Sequence, residues 1–214
     1  MSPGPILNSL PPKPHGALLW VAIILATLAG HADAEGLRRT PAETMAVYTK
    51  NIAEYTTWPR SARSSGDEPF NLCSTGNDPN GVMRIIHDRI RRAGRFTIKK
   101  RRVQLREVPR RNSPNWQAWL EQEFRHCNVL FISADGTDEW ESVHPLIRNA
   151  PIMTISESAG FARSGGIVEF EYDPSAQRMY MLFNMDALKS SGLTVSSLLL
   201  DLNIIRFLPE GTPP

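Results

Sequence analysis

Gly160-Phe161-Ala162-Arg163-Ser164-Gly165-Gly166-Ile167-Val168-Glu169-Phe170-Glu171-Tyr172 opens the stretch that decides the fold, and the stretch runs on to Arg206. Gly165 and Gly166 supply backbone freedom ahead of an alternating segment. In that segment Val168, Phe170 and Tyr172 share one strand face. Glu169 and Glu171 take the other, the ordinary solvent-facing arrangement. Asp173-Pro174-Ser175 turns the chain into a second strand, Arg178 to Phe183, apolar enough to be buried on both faces. After Gly192-Leu193, Ser196 and Ser197 stand where a helix N-cap is wanted, just before Leu198-Leu199-Leu200. The stretch predicts a β-hairpin followed by one or two short helices.

Upstream, Thr40-Pro41-Ala42-Glu43 reads as a capping box with proline at the first helical position. Met45, Tyr48, Ile52 and Tyr55 follow at helical spacing, and the residue before Pro59 must leave the helix, so the helix stops near Trp58-Pro59. Residues 60–68 form a polar loop. Strands are expected at Phe70–Cys73, Arg101–Val108, Cys127–Ser133 and Pro151–Ile155. Helices are expected at Val82–Ile90, around Trp116–Phe124, and from Asp138 to Arg148. This alternation predicts an α/β three-layer sandwich: a mostly parallel central sheet, helices on both faces and an antiparallel C-terminal hairpin at its edge.

The chain has 214 residues, 41% hydrophobic and 21% charged, enough for one domain with a sizeable core. Its beginning reads differently. Lys13 and His15 precede the apolar run Ala17–Leu28, and Ala32-Asp33-Ala34 places small residues before Glu35, the layout of a secretory signal peptide. The expected organisation is therefore residues 1–34 as a signal peptide cleaved after Ala34, residues 35–209 as a single α/β domain, and residues 210–214 as a disordered tail. No Cys follows the cut, which argues against a lipoprotein. Cleavage removes one cation and one anion and leaves the net charge at +2. Export to an oxidising compartment favours a disulfide between Cys73 and Cys127, two buried thiols being the alternative.

A catalytic site is hard to assemble. His87, His126 and His144 lack the spacing of metal ligands, and no Gly-x-Ser-x-Gly elbow occurs. Gly165-Gly166 lacks a phosphate-loop pattern. His126 and Cys127, adjacent on an expected strand, would point to opposite faces. The residues predict no enzyme, no metal and no cofactor. Between Arg84 and Arg111 lie twelve of the 24 basic residues and two of the 22 acids. The segment reads either as a solvated basic face or as an electrostatic docking surface for an acidic partner or anionic lipid; an exported chain argues against nucleic acid.

The helix ending Trp58-Pro59, Cys73 with Gly76, Cys127 with Val129-Leu130-Phe131-Ile132, Gly160-Phe161, Gly165-Gly166-Ile167, Asn184 and the segment Gly192–Leu199 occur in an order that resembles the YfiR-like family. The resemblance covers roughly residues 41–207. It implies a periplasmic, non-enzymatic repressor that binds the sensor domain of a membrane-anchored diguanylate cyclase and lowers cyclic-di-GMP, the signal behind biofilm formation. It also implies capture by an outer-membrane lipoprotein as the releasing event, and it leaves a homodimer open. The partner-binding surface expected on this chain combines Trp58, Phe161, Gly165 and Gly166, aromatics beside flexible turns. The chain departs from the family pattern at Asn128, where His is common, at Leu202-Asn203, where alanine is common, and in having two cysteines rather than four. The basic stretch is not a family feature. The rival reading is a periplasmic small-ligand binder with its pocket at the carboxyl ends of the strands.

Overall fold

Thr40 starts the first helix by a reciprocal cap. Its hydroxyl accepts from the Glu43 N–H at 3.2 Å, and its own N–H donates to the Glu43 carboxylate at 2.8 Å. Helix α1, Pro41–Tyr55, buries Met45, Ala46, Thr49, Ile52 and Ala53. Tyr55, expected on that face, is 42% exposed. The helix stops earlier than the proline requires, because Thr56 turns extended and begins strand β1, Thr56–Thr57. The computed structural model describes residues 39–59, 68–93, 96–209 and 211. The expected signal peptide, most of the expected polar loop at 60–68 and all but one residue of the expected tail lie outside the described residues.

Strand β2, Phe70–Thr75, leads to helix α2, Val82–Ala93, whose first N–H groups at Met83 and Arg84 are capped by the Asp78 carboxylate. Then come β3, Thr97–Ile98, β4, Arg101–Glu107, and helix α3, Trp116–Gln122. A 3-10 turn at Phe124–His126 precedes β5, Val129–Ile132. Helix α4, Thr137–Ile147, and β6, Met153–Ser156, complete the alternating part. Strands β7, Val168–Asp173, and β8, Arg178–Phe183, form the hairpin. Helix α5, Met185–Ser190, strand β9, Thr194–Val195, helix α6, Ser197–Leu200, and strand β10, Ile205–Phe207, finish the chain.

Eight strands make the main sheet in the order β10-β8-β7-β6-β5-β2-β4-β3. Strands β4, β2, β5, β6 and β7 are parallel, and β8 runs antiparallel to β7. The hairpin is therefore real but is not the edge. Strand β10, unforeseen because Ile205-Arg206-Phe207 is too short to read as a strand, pairs parallel to β8 outside it. At the other edge β3 folds back on β4 as a second, two-residue hairpin. Alternation along the strands sends Phe70, Leu72, Val129 and Phe131 into one core with α1 and α2. Cys73, Leu130 and Ile132 enter a second core on the opposite face, with Trp116 and Trp119 of α3 and Trp140 and Val143 of α4. Helix α6 is a single turn capped by the Ser196 hydroxyl; Leu199 points in, while Leu198 is 71% exposed. Among the described residues no helix is long and apolar enough to cross a membrane.

Candidate functional site

On the second face, no helix among the described residues packs over strands β7 and β8. The connection from β6 to β7, residues 157–167, covers them instead, and Glu169 holds it there. Glu169 is 4% exposed and accepts the Gly160 and Ala162 N–H groups, both at 2.9 Å. Its expected solvent-facing position is thus corrected: the loop closes over its side of the strand, and two inward amides take the carboxylate in place of water. Asn184 ties the same loop down by donating to the Ala162 carbonyl at 2.8 Å, while its Oδ1 caps α5 through the Ala187 N–H. Thr154 accepts the Ile167 N–H at 2.9 Å. Replacing Glu169 with Gln puts an amide donor against one of the two N–H groups. The expected loss is about 2 kcal/mol, read as a shift in urea midpoint with unchanged slope.

The loop also grips α4. Phe161 sits 4.6 Å from the Trp140 ring and is 3% exposed, and the Trp140 indole N–H donates to the Ser164 hydroxyl at 3.1 Å. His144 stacks on the other side of Trp140 at 4.7 Å. The two glycines are needed by contact. A Cβ on Gly165 would stand 2.4 Å from His144 Nε2, and one on Gly166 would stand 2.0 Å from Phe161 Cε1. Gly165 also has φ +92, a conformation that side chains with a Cβ rarely adopt.

The expected surface residues therefore divide. Phe161, Gly165 and Gly166 meet in this clasp. Trp58 lies in the other core, 7% exposed and edge-on to Phe70 at 5.4 Å. Both rings are buried, and the exposed residues of the loop around Phe161 are Ala159, Gly160, Arg163 and Ser164. Cys73 and Cys127 are joined, with Cα atoms 5.7 Å apart, and both lie in the core that contains Phe161 and Trp140. Cys127 closes the 3-10 turn two residues before β5 rather than starting the strand. His126 lies in that turn, so the strand-alternation argument about this pair does not apply. Trp140, His144, Ser164 and Glu169 were missed as a group because nothing in their spacing links a helix to a loop and a strand.

Burial holds the His144 imidazole below its ordinary value of 6.5, and the charge of Arg148 adds to the effect. A depressed folded value means that the folded state takes up the proton less readily than the unfolded chain. Its stabilisation is complete above 6.5 and is lost as the pH falls through that value toward the folded one. The melting temperature is expected to drop over this interval, and His144→Gln to flatten the drop.

The strand carboxyl ends are unevenly open. The lateral order of successive strands reverses between the parallel neighbours β2 and β5, where α/β sheets commonly place ligands. There Asp135 receives the Asn77 backbone and side-chain N–H groups, and a Cβ on Gly76 would stand 2.4 Å from Asp135 Oδ1. These contacts tie the loops after β2 and β5 together. Space lies further along the same ends, beside β7, which outruns β6 because the two pair only at Ile155–Ser156. Grooves of about 400 and 550 Å³ lie there and share Glu157, Phe170 and Tyr172. Burial pushes the Glu157 carboxyl up and the nearby Asp78 and Asp135 add to this, while bonds from Asn80 and the Ala134 N–H oppose it. A family model, DUF4154, described as YfiR/HmsC-like, matches residues 42–203. No curated protein matches the chain.

Proposed function

This chain belongs to the YfiR/HmsC-like family, and from that premise we propose that it is a periplasmic, non-enzymatic repressor of an inner-membrane diguanylate cyclase. The observation that carries the reading is the extent of the family match, which runs from the first turn of α1 to the approach to β10. In this reading residues 1–34 direct export and are removed. The processed domain binds the periplasmic sensor domain of the cyclase and holds the enzyme inactive, lowering cyclic-di-GMP. An outer-membrane lipoprotein that captures the domain relieves the repression.

The contact surface proposed is the outer side of the clasped loop, Ala159, Gly160, Arg163 and Ser164, with Phe161, Gly165 and Gly166 holding it in shape. The disulfide supports the loop from beneath through the shared core, which gives a physical route by which reduction would loosen the docking face. The test is co-purification of the processed domain with detergent-solubilised inner membrane, with and without reductant, and mass spectrometry of what is retained. A diguanylate cyclase retained by the native domain and lost with Arg163→Glu supports the reading. Retention that ignores reductant leaves the bridge structural. Recovery of no cyclase under either condition removes the reading.

The grooves beside β7 support a second reading, a small-ligand binder whose ligand contacts Tyr172 and Phe170. It predicts a ligand-dependent rise in melting temperature in the absence of any protein partner.

A further inference from the structure

We propose that the end of the sheet formed by the β3–β4 hairpin and the C-terminus of α2 is a docking surface for anionic lipid headgroups. The modest net charge of +2 hides a segregation. Residues 84–111 hold twelve cations and two anions, so that segment carries +10 and the remainder of the chain −8.

The structure gathers much of this charge at one end. Strand β4 begins there, Lys99-Lys100 form the two-residue turn between the paired Ile98 and Arg101, and Arg91 and Arg92 end α2 a short link before β3. Lys99, Lys100, Arg102, Arg91 and Arg92 are all exposed. Among the described residues no carboxylate pairs with Lys99, Lys100, Arg102 or Arg91, whereas Arg92 pairs with Asp88 at 3.5 Å.

The turn itself is unusual. Lys99 and Lys100 have φ 54 and 63, both left-handed, as the mirror-image hairpin turn requires. Asn-Gly is the pair suited to that turn, and a side chain with a Cβ is strained at either position. This sequence carries two lysines where the backbone disfavours them, at the apex of a projecting hairpin. The apex is held from behind. The Lys99 N–H donates to Glu54 at 3.1 Å, and Arg101 donates to the Glu68 and Pro69 carbonyls and lies 5.6 Å over the Phe70 ring. The backbone is thus fixed while the lysine ammonium groups remain outside. Next to Glu54, Tyr55 is 42% exposed, an aromatic of the type that settles at headgroup level.

A tip with dispersed, exposed cations suits a fluid anionic surface, where each cation contributes nearly independently. An acidic protein partner would be better met by a groove, and the two grooves described above lie along β7. The proposal does not depend on the cyclase reading, although adsorption to lipid would concentrate the domain at the membrane that holds such a partner.

The test is co-sedimentation of the chain from residue 35 onward, which contains both cores, with vesicles of phosphatidylcholine alone or mixed equally with phosphatidylglycerol. Binding is expected only to the mixed vesicles, and it should weaken steeply as salt shortens the reach of the charges. Replacing Lys99 with Asn and Lys100 with Gly should raise the melting temperature, since the turn is relieved. The same variant should weaken vesicle binding by about thirtyfold, roughly fivefold per lysine. Arg91→Gln combined with Arg102→Gln leaves the turn untouched and should weaken binding to a similar degree. No binding, equal binding to neutral vesicles, or unchanged affinity in both variants overturns the proposal. Capture by soluble polyglutamate without vesicle binding also overturns it and assigns the face to an acidic protein.

Discussion

Replacing Cys73 and Cys127 with alanine is expected to lower the melting temperature of the domain by about 8–16 °C. The bridge closes a sequence separation of 54 residues. A cross-link of that span restricts the unfolded chain by about 4 kcal/mol. For a domain of this size each kcal/mol moves the midpoint by about 2–4 °C. Reduction of the native protein should reproduce the shift, and a differential scan with and without reductant measures both. A shift under a few degrees would mean that the unfolded chain keeps β2 and β5 together without the bond. The loss should also be felt in the loop, because Cys73, Cys127, Phe161 and Trp140 share one core.

Phe161→Ala is expected to cost about 3–5 kcal/mol, since the ring is 3% exposed and fills a slot beside Trp140. Gly166→Ala should cost about 1–3 kcal/mol by overpacking against the same ring. A methyl at that position would lie 2.0, 2.3 and 2.4 Å from three atoms of Phe161. The ring cannot yield without leaving its slot. The two changes are therefore coupled: removing the ring makes room for the methyl. The double variant is expected to fall short of the sum of the singles by about 1–2 kcal/mol, measured by urea denaturation of all four proteins. Additive losses would show that the methyl is accommodated without displacing the ring.

These effects mark where sequence reading succeeds and where it stops. The order of strands and helices was legible because Val129-Leu130-Phe131-Ile132 and the alternation at Val168–Tyr172 are local patterns that tertiary structure preserved. The capping box at Thr40 and the cap at Ser196 were legible for the same reason. Strand β10 was not, because three residues carry no period; it exists only because β8 presents an edge. Glu169 illustrates a different limit. An alternating glutamate reads as solvent-facing unless the loop that will cover it is known, and that loop is placed by contacts with Trp140 and Asn184, distant in sequence. Gly165 and Gly166 were read as places of backbone freedom; Gly165 takes a left-handed conformation, whereas Gly166 does not. Their second role, making room for His144 and Phe161, is a property of neighbours that no spacing reveals. Trp58 was placed on the partner surface as an aromatic beside a turn, yet it lies inward against Phe70, next to the pairing of β1 with β9.

That small pairing bears on how the chain can fold as it is made. Thr56 and Thr57 bond to Val195 and Thr194, and the Ser196 N–H donates to the Tyr55 carbonyl. Helix α1 is the first described element to emerge from a ribosome or a translocation channel, but its far end is sealed by residues close to the last. Until those residues arrive, the apolar side of α1, with Met45, Ile52 and Ala53, has no completed core to enter. The nascent chain can lay α1 against α2 early, but closure between its two ends is a late step with high contact order. A holdase that shields α1 during this interval should raise the yield of folded protein, whereas truncation before Thr194 should release a species that aggregates through that helix.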